Sequence, residues 1–201
     1  MWYEYPIPAS PERQRQVIRQ LREWIENLES RGIIEGFAFD HYSGADVPDE
    51  LRIRFDCISV ENLEVLRAEL EREVGRLIAD YVRNERIWNS GRTPEHILKA
   101  YEFGSRCAFL LWKLIEEGRF SEDYVSNYAT IVNRQLTVRR IPLEFQAHSN
   151  HGIMNSLGVF KTPNEQWIHL VLLKESTRSA SPEQLCQWIR NQPTIFFRSE
   201  E

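Results

Sequence analysis

Apolar residues alternate between two spacings along residues 2–81, and this alternation limits the chain to a small set of folds. Trp2 to Ile7 reads as a short strand. Ser10 followed by Pro11 has the form of a helix N-cap with proline at the first helical position. Val17, Ile18, Leu21, Trp24, Ile25 and Leu28 then recur at helical spacing, and Arg31-Gly32 supplies a basic last turn and a left-handed exit. The spacing next predicts a strand over Ile33 to Phe39, a polar loop from His41 to Asp49 around Gly44 and Pro48, and a strictly alternating strand from Leu51 to Cys57. Leu63, Leu66, Leu70, Val74, Leu77 and Tyr81 mark a long amphipathic helix beginning at Ser59.

The resulting order, β-α-β-β-α, is the start of an α+β ferredoxin-like sandwich, which needs one further strand. Trp167 to Leu173 is the predicted late closing strand, and Thr194 to Phe197 an added edge after a last helix begun at Ser181-Pro182. Residues 83–158 read as a helical insertion of about three helices. Thr93-Pro94 starts one of them, Gly118 ends it and Ser121 caps the next. No Gly/Ser/Pro-rich linker or internal repeat interrupts the chain, so residues 1–201 are expected to form a single domain. In it 1–82 and 159–201 build the sandwich and 83–158 pack against it.

A net charge of −5 over 201 residues gives no field that would draw the whole molecule to nucleic acid or an anionic membrane. No apolar run is long enough to span a bilayer, and the Met-Trp-Tyr-Glu-Tyr-Pro start has no signal-peptide pattern. Cys57, Cys107 and Cys186 are odd in number, widely separated and flanked by apolar residues, as buried reduced thiols are, which points to the cytoplasm. Lysine occurs only at 99, 113, 161 and 174, so most fixed positive charge is arginine, the residue that grips carboxylate and phosphate as a rigid fork. Among the aromatics, Trp24, Phe109, Trp112 and Trp188 lie among aliphatics at helical spacing and are expected in the core.

Two constellations could carry chemistry. Along Leu51-Arg52-Ile53-Arg54-Phe55-Asp56-Cys57, strand alternation puts Arg52, Arg54 and Asp56 on one face of the sheet. They form either a solvated outer face with an Arg/Asp pair or a double guanidinium grip on one anion. In the second, His148, His151 and Asn155 fall on one face if the segment 148–158 is helical. A neutral imidazole there could act as a general base, or the histidines could serve as hydrogen-bonding residues near a helix end. His148 and His151 alone do not make a metal site, because His41, His96, His169 and the cysteines add no recognised ligand spacing. Walker, dinucleotide-binding and nucleophile-elbow motifs are absent from the sequence, so no metal or cofactor is expected.

The Trp2-Tyr3 strand, the alternating arginines of Leu51-Arg52-Ile53-Arg54-Phe55 and the late His151, Asn155 and Leu157 occur in an order that resembles the C-terminal elimination domain of lantibiotic dehydratases and the related thiopeptide-type bacteriocin biosynthesis proteins. That resemblance implies a lyase-like, peptide-tailoring activity that removes glutamate from a glutamylated Ser or Thr. By position, Arg52 and Arg54 would hold the leaving glutamate, His151 would move a proton and Asn155 would support it, and His148, from the same helical face, is the further expected substrate-binding residue. The family's second His and its Arg are replaced here by Ile153 and Ser156, which leaves room for an accessory domain that binds peptide without catalysis. From a different class, a non-catalytic assembly or homo-oligomeric protein would use the aromatic-rich helix Tyr101 to Ile115 as its interface. The expected partner in either case is a peptide or a small anionic ligand.

Overall fold

The computed structural model describes residues 1–44, 47–88, 94–122, 132 and 135–158. Their elements are β1 (Trp2–Pro8), α1 (Pro11–Ser30), β2 (Ile34–Gly44), β3 (Val47–Cys57), α2 (Val60–Leu77), β4 (Arg86–Ile87), α3 (Glu95–Glu116) and α4 (Leu143–Leu157). The strands form one antiparallel sheet in the order β2-β3-β1-β4, so the fold is α+β with the β-α-β-β-α start expected of a ferredoxin-like sandwich. Beside β1 lies the two-residue β4, the next element after α2 in the chain. The predicted closing strand 167–173, the edge 194–197 and the helix from 181 lie outside the described residues, as do Cys186 and Trp188. The polar loop expected over His41 to Asp49 is largely strand instead. The β2–β3 ladder runs on through His41↔Leu51 and Tyr42↔Glu50 to Gly44↔Val47. Its polar residues are held there because the buried Gln14 amide donates to the Tyr42 carbonyl at 2.8 Å, so polarity alone misplaced the boundary.

Local chemistry sets the helix limits. The Ser10 hydroxyl accepts from the Arg13 amide, Pro11 opens α1, and Gly32 leaves it at φ +70°. The Ser59 hydroxyl caps α2 in the same way, accepting from the Asn62 amide at 3.2 Å. Leu51, Ile53 and Phe55 of β3, with Tyr5 and Ile7 of β1, face Val17, Leu21, Ile25 and Leu28 of α1 and Leu66 and Leu70 of α2 in the main core. Trp24 lies edge-on to Phe55 at 5.8 Å. Cys57 and Cys107 are buried free thiols, pushed up to about 11 and about 12 by burial.

The two edges of the sheet are treated differently. Along β1 the ladder to β4, with the Trp88 amide donating to the Trp2 carbonyl, sends the backbone groups of Trp2, Glu4, Pro6 and Pro8 toward the edge. Prolines at two of these positions remove the donors that would otherwise continue the ladder. Along β2 the outward backbone groups are those of Phe37, Phe39 and His41, and helices cover them. The Phe39 amide donates to Ser105 Oγ of α3 at 2.9 Å, and its carbonyl accepts from Ser156 Oγ of α4 at 2.8 Å. The two hydroxyls lie 3.1 Å from each other. Phe109 stacks on both Phe37 and Phe39, and Trp112 on Phe39, which extends the core across this edge.

For both serines to reach one residue of β2, α3 and α4 must cross closely, and glycine permits it. A methyl group on Gly104 would stand 2.5 Å from the Gly152 backbone. Gly152, a poor helix former by propensity, therefore sits inside α4 because packing requires it. Replacing Gly104 with Ala is expected to lower stability by about 3 kcal/mol through overpacking. Gly75→Ala, in α2 with open space around it, should instead stabilise by about 0.5 kcal/mol. Urea unfolding midpoints of the two variants check both signs.

Candidate functional site

Cross-strand register gathers Trp2, Glu4 and Pro6 of β1, Ala38 and Asp40 of β2, and Arg52, Arg54 and Asp56 of β3 on the sheet face opposite α1 and α2. Arg54 is not solvated there; it is 2% exposed, between Glu4 at 6% and Asp40 at 3%. Its Nε donates to Glu4 at 2.7 Å, its Nη1 donates to Asp40, and the Trp88 ring lies 4.3 Å from the guanidinium carbon. Burial opposes its charge, but Asp40 and Glu4 more than offset that, and the guanidinium is held more firmly protonated than usual. Asp56 is not its partner; that carboxylate takes the Met1 amino group at 2.7 Å.

Arg52 is engaged differently. Its Nε donates to the buried Glu50 at 2.5 Å and its guanidinium lies 3.6 Å from the Tyr42 ring centroid. Its two terminal nitrogens meet no carboxylate among the described residues. Of the two arginines, Arg52 therefore keeps the outer half of its fork for a ligand, and Arg54 does not.

On α4, Asn155 Nδ2 lies 2.9 Å from His151 Nε2, one helical turn away. The Tyr101 ring of α3 stands edge-on to His151 at 5.4 Å and near His148 at 6.1 Å, and it meets Trp88 at 5.9 Å. The helical face expected for His148, His151 and Asn155 thus packs over the side of the sheet that carries Arg54. Burial pushes the proton affinity of both imidazoles down, so both are neutral at neutral pH. For His151, Asp40 pulls the other way, while His148 and Arg54 add to the depression. Asp40 is the hub of the cluster: it bonds Arg54, pairs in register with Arg52 and biases His151.

The histidine segment therefore meets the arginine face at Arg54 and Asp40, through Tyr101 and Trp88, which neither constellation reveals alone. Asp40, Glu4, Tyr101 and Trp88 belong to this contact and escaped the sequence reading. Glu4 carried one signal, as the single acid among the apolar and aromatic residues of its strand, whereas β2 holds two acids, Glu35 and Asp40, and nothing in the sequence marks the second. The placement of Glu4 and Asp40 opposite Arg54 is a matter of register. Among the described residues, no group of three or more His, Cys, Asp or Glu is placed to hold a metal ion, and no helix is long and apolar enough to cross a membrane.

Comparison with known proteins finds no match, whether to a family model, a curated protein or a solved structure. The site's geometry and chemistry are what bear on function.

Replacing Arg54 with Met removes the one cation between two buried carboxylates and is expected to cost about 3–5 kcal/mol. Arg52→Met leaves Glu50 with fewer bonds and should cost about 1–2 kcal/mol. Thermal and urea unfolding of the two variants would show whether the asymmetry holds.

Proposed function

We propose that this chain is a peptide-binding accessory protein of the peptide-tailoring type, with Arg52 as the residue that takes a carboxylate of its ligand and the Tyr101, His148 and His151 rings as the neighbouring wall. The observation that supports binding over elimination is the commitment of Arg54 to Glu4 and Asp40. A two-arginine clamp on a departing glutamate would have to pull that guanidinium away from two buried carboxylates, at a cost of about 3–5 kcal/mol. A single charge-assisted contact from Arg52 needs no such rearrangement.

A lyase-like activity on a glutamylated peptide is the second reading, and one observation favours it. His151 is neutral at the pH where a general base would work, and it stands in the same cluster as the arginines, near Asp40. The resemblance to elimination domains of lantibiotic dehydratases points the same way, while Ile153 and Ser156 in place of that family's His and Arg weigh toward binding.

A Ser-containing peptide and its glutamyl ester, titrated into the protein by calorimetry, separate the readings when free glutamate is followed in parallel by mass spectrometry. Binding that weakens about ten- to a hundredfold in Arg52→Ala, with no glutamate released, is the expected result. Glutamate release that falls about 10²–10⁴-fold in His151→Ala would establish the enzyme instead. If the wild-type protein binds neither peptide, the peptide reading is wrong in both forms.

A further inference from the structure

Four of the chain's five histidines lie within the described residues, and all four sit where α4 meets β2 or α3. His41, on β2, is half-buried against the end of α4; a methyl group on Gly158 would come within 3.3 Å of its ring. Its Nδ1 lies 3.2 Å from the buried Gln14 Oε1 of α1, and the Ser156 backbone of α4 stands close enough to the ring to favour its charged form. His148 Nδ1 is buried without a partner among the described residues. His151 is tied through Nε2 to Asn155 and packs on Tyr101.

We infer that the seam of α4 against β2 and α3 is an acid-sensitive latch: protonation of His41, His148 and His151 loosens α4 and uncovers the edge of β2 before the rest of the fold gives way. The basis is steric and electrostatic. Each ring lies where a new charge would have to be placed in a poorly solvated seam, and His148 Nδ1 would become a donor with no partner among the described residues.

The charges that face these rings do not reverse the effect. His151 meets Asp40 of β2, which favours its protonation, and Arg54 of β3 and His148, which oppose it, with the Tyr101 phenol alongside. His148 meets Glu144 on its own helix, which favours charge, and His96 of α3, which opposes it. His41 meets the Ser156 backbone of α4 and Asp40, which favour charge, and Arg15 of α1, which opposes it. Desolvation is the largest influence on all three and depresses them, His41 to about 4. His96 Nε2 lies 3.3 Å from Glu144 across the α3–α4 contact. That pair is half exposed and is worth little.

The direction follows from linkage. The unfolded chain binds protons on these histidines below about pH 6.5, whereas the closed seam does not. Stability of the seam is therefore full above that pH and is lost as the pH falls toward the folded values. Each titrating ring raises the open population by up to about tenfold per pH unit.

Hydrogen exchange of the wild-type protein at about pH 7, 6 and 5, corrected for intrinsic rates, tests this. The expected result is that the amides of α4 lose protection about tenfold or more per unit. Those of β1, β3 and α1 should hold theirs. Equal loss everywhere, or no loss above pH 5, would overturn the inference. In His41→Gln/His148→Gln the same comparison should give a flatter pH dependence, and an unchanged slope in that variant, if it folds, would also overturn it.

Discussion

The structure depends on how the exposed edge of β2 is satisfied. An edge strand presents amides and carbonyls that must find partners or remain a template for pairing. Here one residue, Phe39, is answered by two hydroxyls from two different helices, Ser105 and Ser156, which also bond each other. Those bonds fix the axial position of α3 and α4 against the sheet, and the Gly104–Gly152 crossing fixes their separation. Once both are set, Tyr101, His148 and His151 have little choice but to face the charged side of the sheet, while Phe109 and Trp112 close over the apolar side.

The charged side is a polar interior rather than an open binding face. Two carboxylates and one guanidinium are buried together, with an aromatic ring over the cation. A triad of this kind adds little net stability compared with an apolar replacement, but it is costly to break by removing one member. It also preorganises its surroundings. Asp40, held by Arg54, presents a fixed negative charge near His151, and Arg52 is aligned beside it by Glu50 and Tyr42. Supporting charges below a more exposed arginine and a set of rings are an arrangement that suits ligand recognition more readily than displacement of Arg54 itself.

The β-α-β-β-α order, both helix caps and the inward faces were legible from residues 2–81 because period and capping are local properties. The hairpin limits were not, since His41 and Tyr42 are held in β2 by Gln14 of a different element. The helical state of His148 to Leu157 was equally hidden, because Gly152 argues against a helix until its partner Gly104 is known. The roles of Arg52 and Arg54 diverge for the same kind of reason. Both carry the same side chain on the same face of β3, and only the neighbours brought by β1 and β2 make one a buried structural cation and leave the other part of its fork.

The sequence by itself therefore determined the α+β class, the order of the first five elements and which side of β3 would bear charge. Each of these rests on interactions between residues a few positions apart. Only the tertiary structure decided that the arginine face and the histidine helix meet, that Asp40 lies between them, and that Arg54 is already paired. Those facts depend on strand register and on the approach of helices more than forty residues away in the chain, set by two glycines and two serines whose spacing carries no periodic signal.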